Sequence, residues 1–178
     1  MADYRLLTPG LEELAAIHAW KTREPHRERF TCRPVAPLPT FDVWSERMLE
    51  RIGDPERRHR ILVDADSGET LGEINGFDHN PRNHSMEFGY YLPAANRGRG
   101  LGTAMIRLFL GEAFDDAELR LNRIYATTSD GNQASKRVLE KLGFRLDGRN
   151  RESYWIDGER YDQLCYSLLR REWDAGRT

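Results

Sequence analysis

Asn96-Arg97-Gly98-Arg99-Gly100-Leu101-Gly102-Thr103-Ala104-Met105 is the stretch on which the reading of this chain turns. Arg97, Gly100 and Gly102 fall in the pattern R-x-x-G-x-G, and Gly98 adds a third glycine. Glycines at this density let the backbone turn tightly and bring successive N–H groups to bear on one point. A helix follows at once, over Gly100 to about Leu119. Leu101, Ala104, Met105 and Leu108 mark one face, with Ile106, Leu110, Ala113 and Phe114 beside it. The first turn of a helix leaves its N–H groups without intrahelical partners and carries the positive end of the dipole. Loop and helix together therefore predict an anion cradle suited to a pyrophosphate. Arg97 and Arg99 add charge, and the Thr103 hydroxyl offers one further hydrogen bond. A dinucleotide fingerprint would place a third glycine where Thr103 stands, and the Gly-Lys-Ser/Thr of a P-loop is absent.

Upstream, Ser85-Met-Glu-Phe-Gly-Tyr-Tyr-Leu-Pro93 alternates as a strand, with Met86, Phe88, Tyr90 and Leu92 on one face and Glu87, Gly89 and Tyr91 on the other. Residues 57–77 read as two strands joined by a turn at Asp66-Ser67-Gly68. Near the N-terminus a short strand (Tyr4 to Thr8) precedes a helix capped at Thr8-Pro9 and carrying Leu11, Leu14 and Ile17 on one face. The polar, proline-containing stretch 23–39 predicts a loop, and a loop of that length inside one domain predicts a wall of the substrate site. Thr40 then caps a second helix with Phe41, Trp44, Met48 and Ile52 at helical steps. Downstream come a strand over 122–128, a helix over 132–144 stopped by Gly143, and a hairpin turning at Asp157-Gly158, a type I′ signal. The order is one strand, two helices, a three-stranded antiparallel meander, helix, strand, helix, hairpin. It predicts an α/β chain of the α+β type: a single mixed, mostly antiparallel six- to seven-stranded sheet flanked by helices. Residues 1–178 read as one domain, with 174–178 as a frayed tail.

Composition narrows the function classes. The chain is 31% charged, against about 25% in an ordinary globular protein, yet its net charge is only −2. A nucleic-acid binder needs a basic excess that is missing here. No apolar run approaches the roughly 18 residues of a membrane span, and no signal sequence opens the chain, so a cytoplasmic protein without nucleic-acid or membrane partners is expected. Cys32 and Cys165 have no metal or redox spacing and read as reduced thiols. Likewise His18, His26, His59, His79 and His84 show no metal spacing, and no metal is expected. His26 and His84 are the two placed to reach an acceptor site, but each reads first as a surface residue. The edge of the C-terminal hairpin leaves room for a homodimer without demanding one.

Read together, SMEFGYYLP, RGRGLGTAMIRLFL and RIYATTSDGNQASKRVLEKLGF resemble, in order, the linked motifs of the GNAT superfamily of acetyl-CoA-dependent N-acetyltransferases. The closing YWIDGERYDQLCYSLLRREW resembles its RimJ/RimL-like branch. The resemblance implies a GNAT fold with acetyl-CoA as cosubstrate. Its pyrophosphate would be held by Arg97, Gly98, Arg99, Gly100, Leu101, Gly102 and Thr103, and its pantetheine arm would lie along the strand ending at Leu92. Asn132 would bond that arm, although an N-cap role explains an asparagine there as well. Many members carry a tyrosine acid seven residues after this asparagine; here Leu139 stands there. Ser135 matches the serine proposed for that role in RimL-like members, and Glu87 matches the strand glutamate that serves as base in several others. The branch's second glutamate corresponds to Tyr154, with Glu152 two residues before it as a substitute. Phe30, Trp44 and Tyr91 are expected at the acceptor pocket or, for Trp44 above all, in the core. The implied reaction is direct transfer of acetyl to a primary amine. The branch implies a protein or peptide N-terminal α-amine. The alternatives are a small amine (polyamine, aminoglycoside or amino-acid-like metabolite), a non-catalytic acyl-CoA sensor, or a nucleotide-binding protein.

Overall fold

Period-two alternation of apolar side chains builds a single sheet, seven-stranded among the described residues. Its spatial order is β1 (Tyr4–Leu7), β2 (Arg58–Asp64), β3 (Thr70–Asn80), β4 (Ser85–Tyr91), β5 (Arg123–Ser129), β7 (Glu159–Leu169) and β6 (Arg145–Ile156). Every neighbouring pair is antiparallel except β4 and β5, which run parallel. The expected mixed, mostly antiparallel sheet is the one that forms. This computed structural model describes residues 3–31 and 33–177, so Cys32 lies outside the described residues; Cys165 sits half-buried on β7.

The helices divide between the two faces by what their stripes bury. α3 (Leu101–Asp115) and α4 (Gln133–Lys141) cover one face, where Met105, Phe109 and Leu139 pack with Met86 and Phe88 of β4 and Leu164 and Tyr166 of β7. Phe109 is 1% exposed, with its ring centroid 6.0 Å from that of Phe88, and truncating such a side chain costs about 3–5 kcal/mol. α1 (Leu11–Arg23) and α2 (Phe41–Ile52) cover the other face, where Leu14, Ile17, Trp44 and Met48 close over Ile61 and Val63. Trp44 thus belongs to the core.

Several boundaries differ from the sequence expectation. α1 is capped at Gly10 and not at Thr8, because the Glu13 carboxylate accepts the Gly10 N–H at 2.8 Å. α3 stops at Asp115, whose successor Asp116 turns its carboxylate onto the amides of Glu118 and Leu119. β6 begins at Arg145, nine residues before Tyr154, from which the sequence reads the first strand of the hairpin. Of the tail 174–178, Asp174 and Ala175 complete α5 (Arg170–Ala175), where Glu172 accepts the Leu169 N–H at 3.1 Å, and Arg177 pairs with Asp115. Within 23–39, Arg27–Phe30 forms a turn of 3₁₀ helix. The hairpin turn is as expected, with Asp157 and Gly158 both at positive φ (51° and 80°).

Candidate active site

The parallel ladder between β4 and β5 is short. Ser85, Met86 and Glu87 pair with Arg123, Ile124 and Tyr125, and there the pairing ends. Beyond it β4 stays with β3 as far as Tyr91, while β5 stays with β7 as far as Ser129. The two strands splay, leaving backbone donors and acceptors of adjacent strands without each other. A cleft of about 360 Å³ occupies the wedge. Its walls are Phe88 to Leu92 of β4, Ala126 to Thr128 of β5, Asn132 and Ser135 at the start of α4, and the loop leading into α3.

At the cleft's end, Gly98 and Gly100 take φ of 74° and 80°, a region in which a side chain costs about 1–2 kcal/mol. A Cβ at either position would meet only open space. Backbone conformation and an uncovered concavity, and no packing demand, therefore call for glycine there. Gly100 caps α3, whose first-turn amides at Leu101, Gly102 and Thr103 open toward the cleft these residues line. Asn96 braces the loop from beneath: its Nδ2 donates to the Leu71 carbonyl at 2.8 Å, and its Oδ1 accepts from Arg99 at 3.2 Å. The chemistry of this donor set fits a diphosphate.

Arg97 lines the cleft, with its guanidinium engaged by neighbouring groups. Its guanidinium donates to Glu24 and to the Leu92 carbonyl and lies over the rings of Phe30 and Tyr91, at 4.9 and 5.6 Å. Burial works to raise the Glu24 carboxyl, but hydrogen bonds from Arg97 and Tyr91 hold it below its ordinary value. The Tyr91 phenol is pushed up to about 12 by burial and by that carboxylate. This cluster ties the end of α1 to the glycine loop. Two further cations at the cleft wall, Arg29 and Arg137 of α4, were missed by sequence reasoning.

Asn132 is an N-cap, its Oδ1 accepting the Ser135 N–H at 3.1 Å, and it lines the cleft as well. Ser135 is buried, and its side chain works against the rise that burial imposes on the Tyr90 phenol. Sequence alternation placed Tyr90 on the core face; because the strands split beside it, that face opens into the cleft. Leu139, where a helix tyrosine was lacking, is 1% exposed in the core. Tyr154 lines the cleft, whereas Glu152 is exposed and pairs with Arg160. A bulge between Asn150 and Tyr154, with Glu152 at a φ of 52°, breaks the alternation that would have put the two on one face.

Glu87 is half-buried on the α1/α2 face of β4, and its Oε1 accepts from the Thr127 hydroxyl at 3.0 Å. Burial raises its carboxyl, against the Thr127 hydrogen bond and nearby Arg33. Above this face, Phe30 stands edge-on to Tyr91, centroids 5.7 Å apart. Arg29 reaches across to Asp157 at the tip of the β6–β7 hairpin, its Nε 3.1 Å from the carboxylate. His26 joins the same bridge: its Nδ1 is 3.3 Å from Glu28 and 3.4 Å from Asp157. His84, held at a φ of 51°, ends the β4 hairpin outside the cleft.

Comparison with known proteins agrees with this geometry. Residues 4–145 match the family model described as an acetyltransferase (GNAT) domain. The chain is 35% identical over 108 residues to a Bacillus subtilis protein named "Putative ribosomal N-acetyltransferase YdaF", a match covering 61% of this chain and 58% of that protein's length. It is 27% identical to the L-amino acid N-acetyltransferase AaaT of Escherichia coli, over 75% of this chain and 78% of that one. The fold superposes on spermidine N-acetyltransferase from Vibrio cholerae in complex with CoA and spermine, with a TM-score of 0.84, 22% identity, and coverage of 96% and 97%.

Proposed function

Because the chain belongs to the acetyltransferase (GNAT) domain family, we propose that it transfers the acetyl group of acetyl-CoA to a small primary amine by direct attack. The splay of β4 from β5, running into the open Gly98–Gly100 cradle with Glu87 and Thr127 at its edge, carries this reading. Acetyl-CoA supplies an acyl group activated as a thioester, so the chain has only to position, deprotonate and protonate. Amides of Gly98 to Thr103 hold the diphosphate, with Arg99 and Arg137 as flanking cations. Backbone N–H groups freed on β4 by the splay face the developing oxyanion. Glu87 takes the proton that the ammonium form must shed before its nitrogen attacks the thioester carbon, and the second proton, lost as the C–N bond forms, passes to solvent. The Tyr90–Ser135 pair donates a proton to the departing sulfur as the C–S bond breaks.

The acceptor reading differs from the expected protein N-terminus. A small amine is supported by the bridge from Arg29 to Asp157, which roofs the acceptor face where a peptide would need an open groove. It is supported also by relatives named for spermidine and for L-amino acids. In this reading the protein works in the cytoplasm, and among the described residues no helix is long and apolar enough to cross a membrane. The test is thiol release from acetyl-CoA with a panel of small primary amines and N-terminal peptides, alongside calorimetric titration of CoA. Acetylated small amine equal to thiol released is expected. CoA binding without turnover on any acceptor, or peptides turning over faster than small amines, overturns the reading.

A further inference from the structure

A second pocket, of about 170 Å³, opens on the α1/α2 face and reaches Phe77, the cross-strand partner of Glu87. Lys21 of α1, Arg33, Arg51 of α2, Arg57, His59 of β2 and Phe77 of β3 form its walls, and among the described residues no carboxylate lines it. The counter-charges lie beneath or outside. Glu73, buried below the floor, pairs with Lys21 and with His59, at 3.2 Å for the latter. Burial works to raise the Glu73 carboxyl, yet Lys21 and His59 hold it at about 2. Asp54 meets Arg57 at 3.2 Å and Asp78 meets Arg33 at 3.1 Å, both at exposed positions. Arg51 has no acidic partner among the described residues.

This pocket adjoins the acceptor side of the cleft. Arg33 stacks 5.0 Å from the Phe77 ring centroid, Phe77 is the cross-strand partner of Glu87, and the Arg33 charge acts on the Glu87 carboxyl. His59, Asn75 and Gly89 stand opposite one another across β2, β3 and β4, so two strand spacings, roughly 10 Å, separate the cleft wall from the far side of the pocket. In the cleft itself the charged lining residues are Arg29, Arg97 and Arg137, again without a carboxylate among the described residues. A polycation laid along this face would meet cations at both ends.

We propose that the pocket framed by Arg33, Arg51 and Arg57 is an anion subsite of the acceptor site, so that the amine acetylated carries a phosphate or carboxylate roughly 7–10 Å from its nitrogen. The inference rests on the transferase reading above and deepens it. Three acceptors of equal chain length test it: 4-aminobutyl phosphate, butylamine and 1,4-diaminobutane. Wild-type kcat/KM is expected to be about tenfold higher for the phosphate than for either other amine, the worth of one charge-assisted contact at an open site. In Arg51→Glu that preference collapses. Equal rates, a preference for the diamine, or a phosphate preference unmoved by Arg51→Glu overturns the subsite. A second readout separates it from the transferase reading. With the protein saturated in CoA, so that the glycine loop is occupied, 4-aminobutyl phosphate should shift the amide resonances of Arg33, Arg51, Arg57 and Phe77. Shifts there without turnover of any amine uphold the subsite and sink the transferase; turnover of butylamine without those shifts sinks the subsite alone.

Discussion

Replacing Glu87 with Gln removes one proton acceptor and almost nothing else. Gln is the same size, and its carbonyl oxygen still accepts from the Thr127 hydroxyl, which lies 3.0 Å from Glu87 Oε1. Fold and CoA affinity should stay at their wild-type values. The loss falls on the nitrogen's proton. An alkyl amine with a pKa near 10.4 is neutral in only about 1 molecule in 2,500 at pH 7, so nearly every bound acceptor has a proton to shed. A positioned base is worth about 10²–10⁴-fold, and Glu87 is raised by burial toward the amine, which narrows the gap the proton must cross. The expected deficit in kcat/KM is about 10²-fold at pH 7, or about 2.7 kcal/mol of barrier. The sign with pH follows from the direction of the shift. Glu87 works only when ionised, so wild-type activity climbs through its raised pKa, and the variant lacks that limb. As pH nears the amine's own pKa the two enzymes converge. Steady-state thiol release from about pH 5 to 10 reads both effects. A wild-type to variant ratio that stays flat across this range refutes Glu87 as the base.

Three further outcomes follow from the same geometry. Gly100→Asp costs about 1–2 kcal/mol at its φ of 80°, too little to unfold the chain, and its Cβ meets open space, but it sets a carboxylate in the cradle; calorimetry should find CoA bound roughly 100-fold more weakly, and undiminished affinity would remove the loop from the site. Tyr90→Phe takes the phenol from the pair with Ser135; kcat should drop about tenfold while the CoA dissociation constant holds, and an unchanged kcat would leave proton delivery to water. Lys21→Met strands buried Glu73 with His59 alone, costing about 2–3 kcal/mol once the partial exposure of Lys21 is discounted. That is a fall in Tm of about 4–12 °C at neutral pH. In the wild type the depressed Glu73 carboxyl stabilises the fold above its unfolded pKa near 4.5 and loses that contribution as pH falls toward about 2. In the variant burial acts without Lys21, so its deficit should shrink in acid as Glu73 takes a proton; a deficit that grows in acid would contradict the charge assignment.

What could be read from the chain was what local chemistry encodes. Gly98 and Gly100 announce a backbone that only glycine adopts cheaply, Asp157-Gly158 announces a type I′ turn, and Met86 and Phe88 alternate with Glu87 over a regular strand. Legibility ended where distant segments meet. The partner that engages the Arg97 guanidinium is Glu24, 73 residues away, and nothing within Arg97-Gly98-Arg99 encodes that contact. Tyr90 was placed correctly on its strand face, but its environment depends on where β4 and β5 part. Glu152 fails for a different reason: period-two reasoning assumes an unbroken register, and a bulge with a glutamate at positive φ has no sequence signal. The last turn of chain folds because the Trp173 ring stacks on Phe114, centroids 6.2 Å apart, a contact that composition alone does not reveal.

The most direct measurement is a crystal structure of the protein grown with CoA. The diphosphate should lie within hydrogen-bond reach of the amides from Gly98 to Thr103, with the pantetheine arm threading the wedge between β4 and β5 and its sulfur approaching the Tyr90–Ser135 pair. Density for the diphosphate on any other surface, or a wedge left closed to the arm, would contradict the assignment.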